Sequence, residues 1–357
     1  MRDPTCDRKR LLLEEKELQL KEYQVARRER LHLQAGLKDE LTGEMASPHL
    51  SAKPILDAAS RYFKNNFGKD RRTDFPDWNM SLTRRLEGGM AEALVVDWTE
   101  QEVKKAFGAM AKNKSHGGDG IPKELFEPHW DLRGGSFMAM AKYFEKSASL
   151  PMEIKEAVTI LLHKKGERDQ LNNYRPITLL NLSYKVLARV IANRMKTVLH
   201  QVISPEQCGF LPGRWLSNAV ALVADMIDAA KHGNEDWYML LVNFQKDFDS
   251  LSHDFLFQVM RRMGFPSRFV DWIEGLHRDI KTKLLVDGWL RQGLDVISGV
   301  RQGCPLAPYL FLCAVEREEL GLSKDGQRLG YLGYADDTTL ALEGGEQITK
   351  AEELLSE

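Results

Sequence analysis

Along the chain the spacing of apolar and polar positions changes period several times, and each change predicts an element. Residues 7–41 set Leu, Val and Tyr among Glu, Lys and Arg at helical spacing, which predicts one long charged helix. Its apolar positions, Leu11, Leu18, Leu20, Val25 and Leu31 among them, keep no strict heptad. A solvated helix and a helix that meets a partner as a coiled coil both stay open. From Met45 to Arg85 several prolines break the pattern, and helical spacing resumes over residues 99–112. The glycine-rich SHGGDGIPKELF then turns into another helix.

Further on, short apolar runs take over. AVTILLH (157–163) has the β-branched content of a strand, KKGERDQLNN that of a hairpin loop, and YRPITLLN reads as the returning strand. Residues 182–202 predict an amphipathic helix rich in basic residues; after the turn-rich SPEQCGFLPGRW, another helix is predicted from about Ser217 to Lys231. WYMLLVNF (237–244) predicts a buried strand ended by a polar segment, and residues 252–263 a helix. IKTKLLVDGWL and GLDVISGV predict paired strands with an Asp-Gly turn. RQGCPLAPYLFLCAVEREEL opens a helix in which Pro305 and Pro308 are tolerated only near the first turn. GYADDTTLAL (333–342) predicts a β-hairpin whose tip carries Asp336 and Asp337, since neighbours on one straight strand face opposite ways. By itself that tip reads as an ordinary Asp-rich turn.

Composition changes this picture little. With 357 residues and 43% apolar content the chain has room for two or three globular domains. No apolar run approaches bilayer length, so the expectation is an intracellular protein without a membrane contact, nucleus or cytoplasm left open. Cys6, Cys208, Cys304 and Cys313 form no pair at metal-ligand spacing, which points to free thiols. A net charge of −2 argues against indiscriminate coating of nucleic acid, yet the charges are segregated. Residues 151–214 hold ten Lys and Arg against five Asp and Glu, a surplus of +5, and residues 219–257 hold two against seven, or −5. Such a division is an ordinary surface accident, or the arrangement of a protein that holds phosphates with one element and divalent metal with another.

The motifs KNKSHGGDGIPKELF, LLHKKGERDQLNNYRPITLLNLSYKVLARVIANRM, PEQCGFLPGR, NFQKDFDSLSH, GVRQGCPLAPYLF and GYADDTTLAL follow one another in this order. Together they resemble the reverse transcriptases of non-LTR (LINE-type) retrotransposons, over roughly Gly43 to Leu354. The resemblance implies an α+β right-hand polymerase fold with fingers and palm. It divides the chain into a charged helical segment (1–42), an extension leading into the fingers (43–150), and fingers and palm (151–357), with the expectation that the chain is truncated after the YADD hairpin and the thumb is absent. It implies an RNA template, a DNA primer and dNTPs as partners, with residues 7–41 a candidate helix for a further one. It also implies two Mg2+ or Mn2+ ions on the carboxylates of Asp336 and Asp337. By the same resemblance Arg175 grips the triphosphate with Lys164 close by, Phe248 lies under the sugar, and Gln302 and Gly303 border the nucleotide and template base. Without the family, Arg175 is a surface strand residue, Lys164 a loop charge, Phe248 a core aromatic, and Gln302-Gly303 a loop before a helix.

The chain departs from the family pattern at NFQKDFD. Asn243 stands where the first catalytic, metal-binding aspartate belongs, and its neutral amide oxygen is a weaker ligand, so the two-metal site is expected to be weakened. Asp247 replaces a small residue and would repel a triphosphate; to supply the missing ligand it would need a shifted backbone. Asp249 matches the family's supporting acid and is expected to hold the strand-to-helix corner. The expectation is a truncated, catalytically impaired reverse transcriptase domain. The alternatives are a non-enzymatic RNA- or DNA-binding remnant and a transposon relic without selected function.

Overall fold

A computed structural model describes residues 37–38, 45–46, 52–67, 84–233, 237–243, 246–316, 322–324, 327–329, 331–335 and 337–343. The fold is mixed, with helices packed around separate β-sheets. β1 (Leu37–Lys38) pairs antiparallel with β2 (Met45–Ala46). This corrects the end of the long helix expected over 7–41, where Gly36 precedes the strand and disfavours helix continuation; the rest of that helix lies outside the described residues. A second correction follows at α1 (Ala52–Phe67), a 16-residue helix in the stretch where prolines were expected to break the pattern. Pro54 falls in its first turn, where a missing N–H costs nothing.

α2 (Gly89–Ala93), α3 (Glu100–Gly108), α4 (Lys123–Phe126), α5 (Trp130–Ser147) and α6 (Met152–Lys155) lead into the hairpin of β3 (Ala157–His163) and β4 (Tyr174–Leu179). α3 is capped by Thr99, whose hydroxyl accepts from the Glu102 amide at 3.2 Å. It stops at Gly108, short of the 99–112 expected. α7 (Leu182–Val202) and α8 (Leu216–Gly233) precede the strand β5 (Trp237–Asn243). Then come α9 (Asp247–Ser250), α10 (His253–Arg262), α11 (Ser267–His277), and the hairpin of β6 (Ile280–Val286) and β7 (Trp289–Val296). Asp287 and Gly288 both take positive φ at its turn, as the Asp-Gly signal predicts. α12 (Ala307–Val315) starts with Pro308 in its first turn. Last come β8 (Leu322–Lys324) paired with β9 (Gln327–Leu329), then β10 (Tyr331–Tyr334) and β11 (Asp337–Glu343).

Two sheets position the site. The first has the order β4-β3-β6-β7, with β3 parallel to β6 and the other pairs antiparallel. α1 covers it, burying Ile55, Ala59, Phe63 and Phe67 against Leu161, Leu284, Leu294 and Val296. The second is antiparallel, in the order β10-β11-β5. The main core is built around α7, which buries residues on more than one face, among them Tyr184, Leu187, Ile191, Met195 and Leu199. Burial of each such apolar side chain contributes about 1.5–3 kcal/mol.

The strand expected to be buried at 237–244 is only partly so. Leu240 and Val242 pack against Leu340 and Leu342, but Leu241 is 75% exposed, and Tyr238 and Met239 are exposed as well. An apolar run on an edge strand with one covered face reads in sequence like a strand covered on both, and this is the source of the error.

Candidate functional site

Asp337 falls at a hairpin, as expected for the GYADD tip, and Asp336 lies outside the described residues. Ala335 occupies the turn with φ of 60°, and Asp337 opens β11 and is exposed. In the three-stranded sheet Asp337 is the direct antiparallel partner of both Tyr334 on β10 and Asn243 on β5. The register therefore sets the position of the expected first aspartate, here an asparagine, opposite the second acid of the pair, and directly opposed antiparallel positions share one sheet face. Among the described residues no group of three His, Cys, Asp or Glu side chains is placed to hold a metal ion.

Sequence reasoning took 204–214 as a turn-rich connection and one of the family motifs without assigning its residues a role, and the structure supplies one. Gln207 is fully buried; its Oε1 accepts from the amides of Ala335 and Gly209, each at 3.0 Å. Its backbone bridges Gly333, the Cys208 amide donates to Gly333 O at 2.7 Å and the Gly333 amide to Glu206 O at 3.2 Å. A Cβ on Gly209 would sit on the Ala335 amide nitrogen, with Ala335 Cα at 2.9 Å, so the close approach requires glycine. Arg214 secures the clamp from behind by donating to the carbonyls of Ser204, Gln207 and Ile203. The Gly209 requirement is the one signal in the sequence that could have pointed here.

Arg175 lies on β4 opposite Leu162, and Lys164 follows β3 with its amide donating to Asn173 O at 2.8 Å, so both sit at the same end of one hairpin. Both side chains are exposed, and neither makes an ion pair with a described residue. Farther along β4, the Thr178 amide donates to Gln302 O at 2.8 Å, and Gly303 takes φ of 114° where a Cβ would also meet Thr178 O at 2.6 Å, so the position suits glycine twice over. The Gln302 side chain donates to Asp249 Oδ1 at 3.1 Å, so Asp249 holds this loop. Its amide also closes a turn on Lys246 O. Phe248 is half-buried, stacked on Phe311 at 4.7 Å between ring centroids, and its carbonyl accepts from the Val300 amide at 2.7 Å. The structure thus ties the loop that carries Gln302 and Gly303 to Phe248 through Val300, to Asp249 and to β4, and sets Asn243 and Asp337 at paired positions in the second sheet. Sequence reasoning also passed over Lys246, which takes φ of 57°, lies 4.5 Å from the Tyr62 ring centroid and donates to Asn66 at 3.4 Å, joining α1 to the segment between β5 and α9.

The glycine-rich KNKSHGGDG motif is anchored too. Asn181 accepts from the Asp119 amide at 3.1 Å and donates to Glu153 O at 2.8 Å, and any Cβ on Gly117 would collide with Asn181. Cys208, Cys304 and Cys313 are free and buried, and burial pushes all three thiols up. Among the described residues no helix is long and apolar enough to cross a membrane.

The family model for reverse transcriptase (RNA-dependent DNA polymerase) matches residues 162–357. The chain is 30% identical over 325 residues to the transposon TX1 uncharacterized 149 kDa protein of Xenopus laevis, which covers 88% of this chain and 25% of that protein. It is 27% identical over 253 residues to the retrovirus-related Pol polyprotein from the type-2 retrotransposable element R2DM of Drosophila melanogaster, covering 69% and 23% of the two chains. Against the Pol polyprotein from the type-1 retrotransposable element R2 of Nasonia vitripennis it is 26% identical over 275 residues, covering 74% and 26%. The chain spans about a quarter of the length of these relatives.

Proposed function

The chain belongs to the reverse transcriptase (RNA-dependent DNA polymerase) family, among those of non-LTR retrotransposons, and from that premise we propose that it is a polymerase domain whose metal-dependent chemistry is impaired at position 243. The observation that carries this reading is the pairing of Asn243 with Asp337 on adjacent strands. In this reading the three-stranded sheet is the palm and the four-stranded sheet belongs to the fingers. RNA template, DNA primer and dNTPs are the partners.

The family generally uses divalent metal ions. Here Asp336 and Asp337 are the carboxylates that would hold them, and position 243 contributes a neutral amide in place of a charged oxygen. That donor set fits a pair of divalent ions poorly, because hard cations prefer charged oxygen ligands and the set has lost one negative charge. The remaining roles do not depend on metal. Arg175 and Lys164, exposed and without ion pairs among the described residues, supply cations for a triphosphate. Phe248, fixed by its stack on Phe311, presents a rigid surface to the sugar, and Gln302 and Gly303 border the base and template.

Primer extension on an RNA template tests the reading, with the natural chain beside Asn243→Asp, Asp247→Ala and the double change. Extension gained by the double change and missing from the natural chain is the expected result. Failure of all four would refute the view that position 243 carries the loss.

A second reading, RNA binding without chemistry, is favoured by the same Asn243 together with Arg175 and Lys164, which are exposed and pair with no carboxylate among the described residues. It requires a salt-sensitive shift of labelled RNA by the natural chain, and binding that does not weaken with salt would exclude it.

A further inference from the structure

Four Lys and Arg side chains are more than nine-tenths buried among the described residues: Lys123, Lys155, Arg194 and Arg301. Arg194 meets the Glu102 carboxylate through two 2.7 Å bonds, and Lys123 lies 3.7 Å from Glu127. Arg301 has no carboxylate within ion-pair distance among the described residues. Its Nη1 donates to Lys155 O at 2.7 Å and its Nη2 to Leu276 O at 3.4 Å, its guanidinium carbon sits 4.3 Å from the Tyr184 ring centroid, and its Nε is buried without a partner.

An uncompensated buried charge is costly, so the surroundings must offset it. They do so with oriented dipoles. Leu276 belongs to the last turn of α11, the negative end of that helix, and the Tyr184 hydroxyl donates to the same carbonyl at 3.2 Å. Lys155 caps the same helix end by donating to Arg278 O at 2.6 Å. The ring face of Tyr184 adds a cation–π contact, and burial pushes its phenol up, so it stays neutral. A guanidinium suits this site because its rigid fork reaches α6 and α11 at once while lying flat on α7.

The backbone of Arg301 leads directly into Gln302. Around it the Gly299 amide donates to Leu251 O and the Val300 amide to Phe248 O, both at 2.7 Å, and Gln302 O accepts from Thr178. We propose that Arg301 is a positioning residue, whose buried guanidinium pins the loop 299–304 to three helices so that Gln302 and Gly303 meet the nucleotide in one fixed conformation. This rests on the reading that Gln302 and Gly303 border the nucleotide.

Peptide-level hydrogen exchange on the full chain without nucleotide tests the pinning, in the natural chain, Arg301→Lys and Arg301→Met. Amides of residues 297–304 and of Thr178 should exchange about tenfold faster or more in both variants, while those of α3 keep their rates. Binding of a fluorescent dNTP should weaken about tenfold in both, with RNA affinity unchanged. Methylguanidinium added to Arg301→Ala should restore protection of the loop, which a purely space-filling role would not allow. Unchanged loop exchange, or acceleration spread evenly through α3, overturns the proposal. So does dNTP affinity that survives a loosened loop. If the natural chain binds no dNTP while the loop responds as expected, the nucleotide reading fails and the pinning by Arg301 stands.

Discussion

Restoring a carboxylate at position 243 should make the metal-free protein less stable before it makes it more active. Asn243 and Asp337 are directly opposed in an antiparallel pair, which brings the Cβ atoms of two such residues to about 5 Å. Two carboxylates at that separation repel by about 0.8 kcal/mol at the dielectric of water and about 3 kcal/mol at an effective value near 20. Asp337 is exposed, which favours the lower figure. Asn243→Asp should therefore cost about 1 kcal/mol in EDTA, a fall of about 2 °C in melting temperature for a chain of this size. A divalent ion at a hundredfold excess over its dissociation constant then adds about 2.7 kcal/mol, turning the fall into a rise. Thermal melts of the natural chain and the variant, each in EDTA and in millimolar Mn2+, read both effects, and the natural chain should respond far less to metal. The reasoning fails if the variant melts at or above the natural chain in EDTA, or if metal shifts both alike.

Gly209→Ala should destabilise the protein by about 2–3 kcal/mol, because its Cβ meets backbone atoms of Ala335 that have no room to yield; chemical denaturation measures the cost, and a change below about 0.5 kcal/mol would argue against the clamp. His277 is held down to about 3 by burial first and then by the charges of His253 and Arg301, and burial likewise lowers His253. The unfolded chain binds protons that the folded one refuses, so stability is full above about pH 6.5 and falls as pH drops toward 3, by about 2 kcal/mol between pH 6.5 and 5 for His277 alone. Melting as a function of pH should show that slope, and His277→Leu should flatten it. Glu102→Ala leaves Arg194 buried with only the Leu94, Val96 and Asp97 carbonyls as acceptors from its guanidinium; a loss of about 2–3 kcal/mol in urea unfolding is expected.

Where local periodicity and turn chemistry agree, the sequence reads directly into the fold. The strand at 157–163, the helix at 182–202 and the Asp-Gly hairpin at 287–288 appear at their expected positions. α1 was missed because Pro54 reads as a breaker unless it is recognised as a first-turn residue, while Ile55, Ala59, Tyr62 and Phe63 carry the helical spacing. Site residues were legible only through motifs, since alone Arg175 is one exposed cation on a strand. The Gln207 clamp was hard to reach for a different reason, because its partner Ala335 lies 128 residues away and Gly209 alone, without its distant neighbour, reads as one more turn glycine. Phe248 is half-buried against the core, as the reading of a core aromatic expects, and its carbonyl is tied to the loop that carries Gln302.

The parallel pairing of β3 with β6 also bears on how the chain folds during synthesis. Thr159 and Thr282, joined through their hydroxyls at 2.7 Å, are 123 residues apart, so β3 leaves the ribosome about 6–25 s before its neighbour at ordinary elongation rates. Through that interval the β3–β4 hairpin has an unfinished edge, open to pairing with any other extended strand. The nascent chain is then most exposed to misassembly, and β5 and the helices α9–α11 must all emerge before that edge is closed.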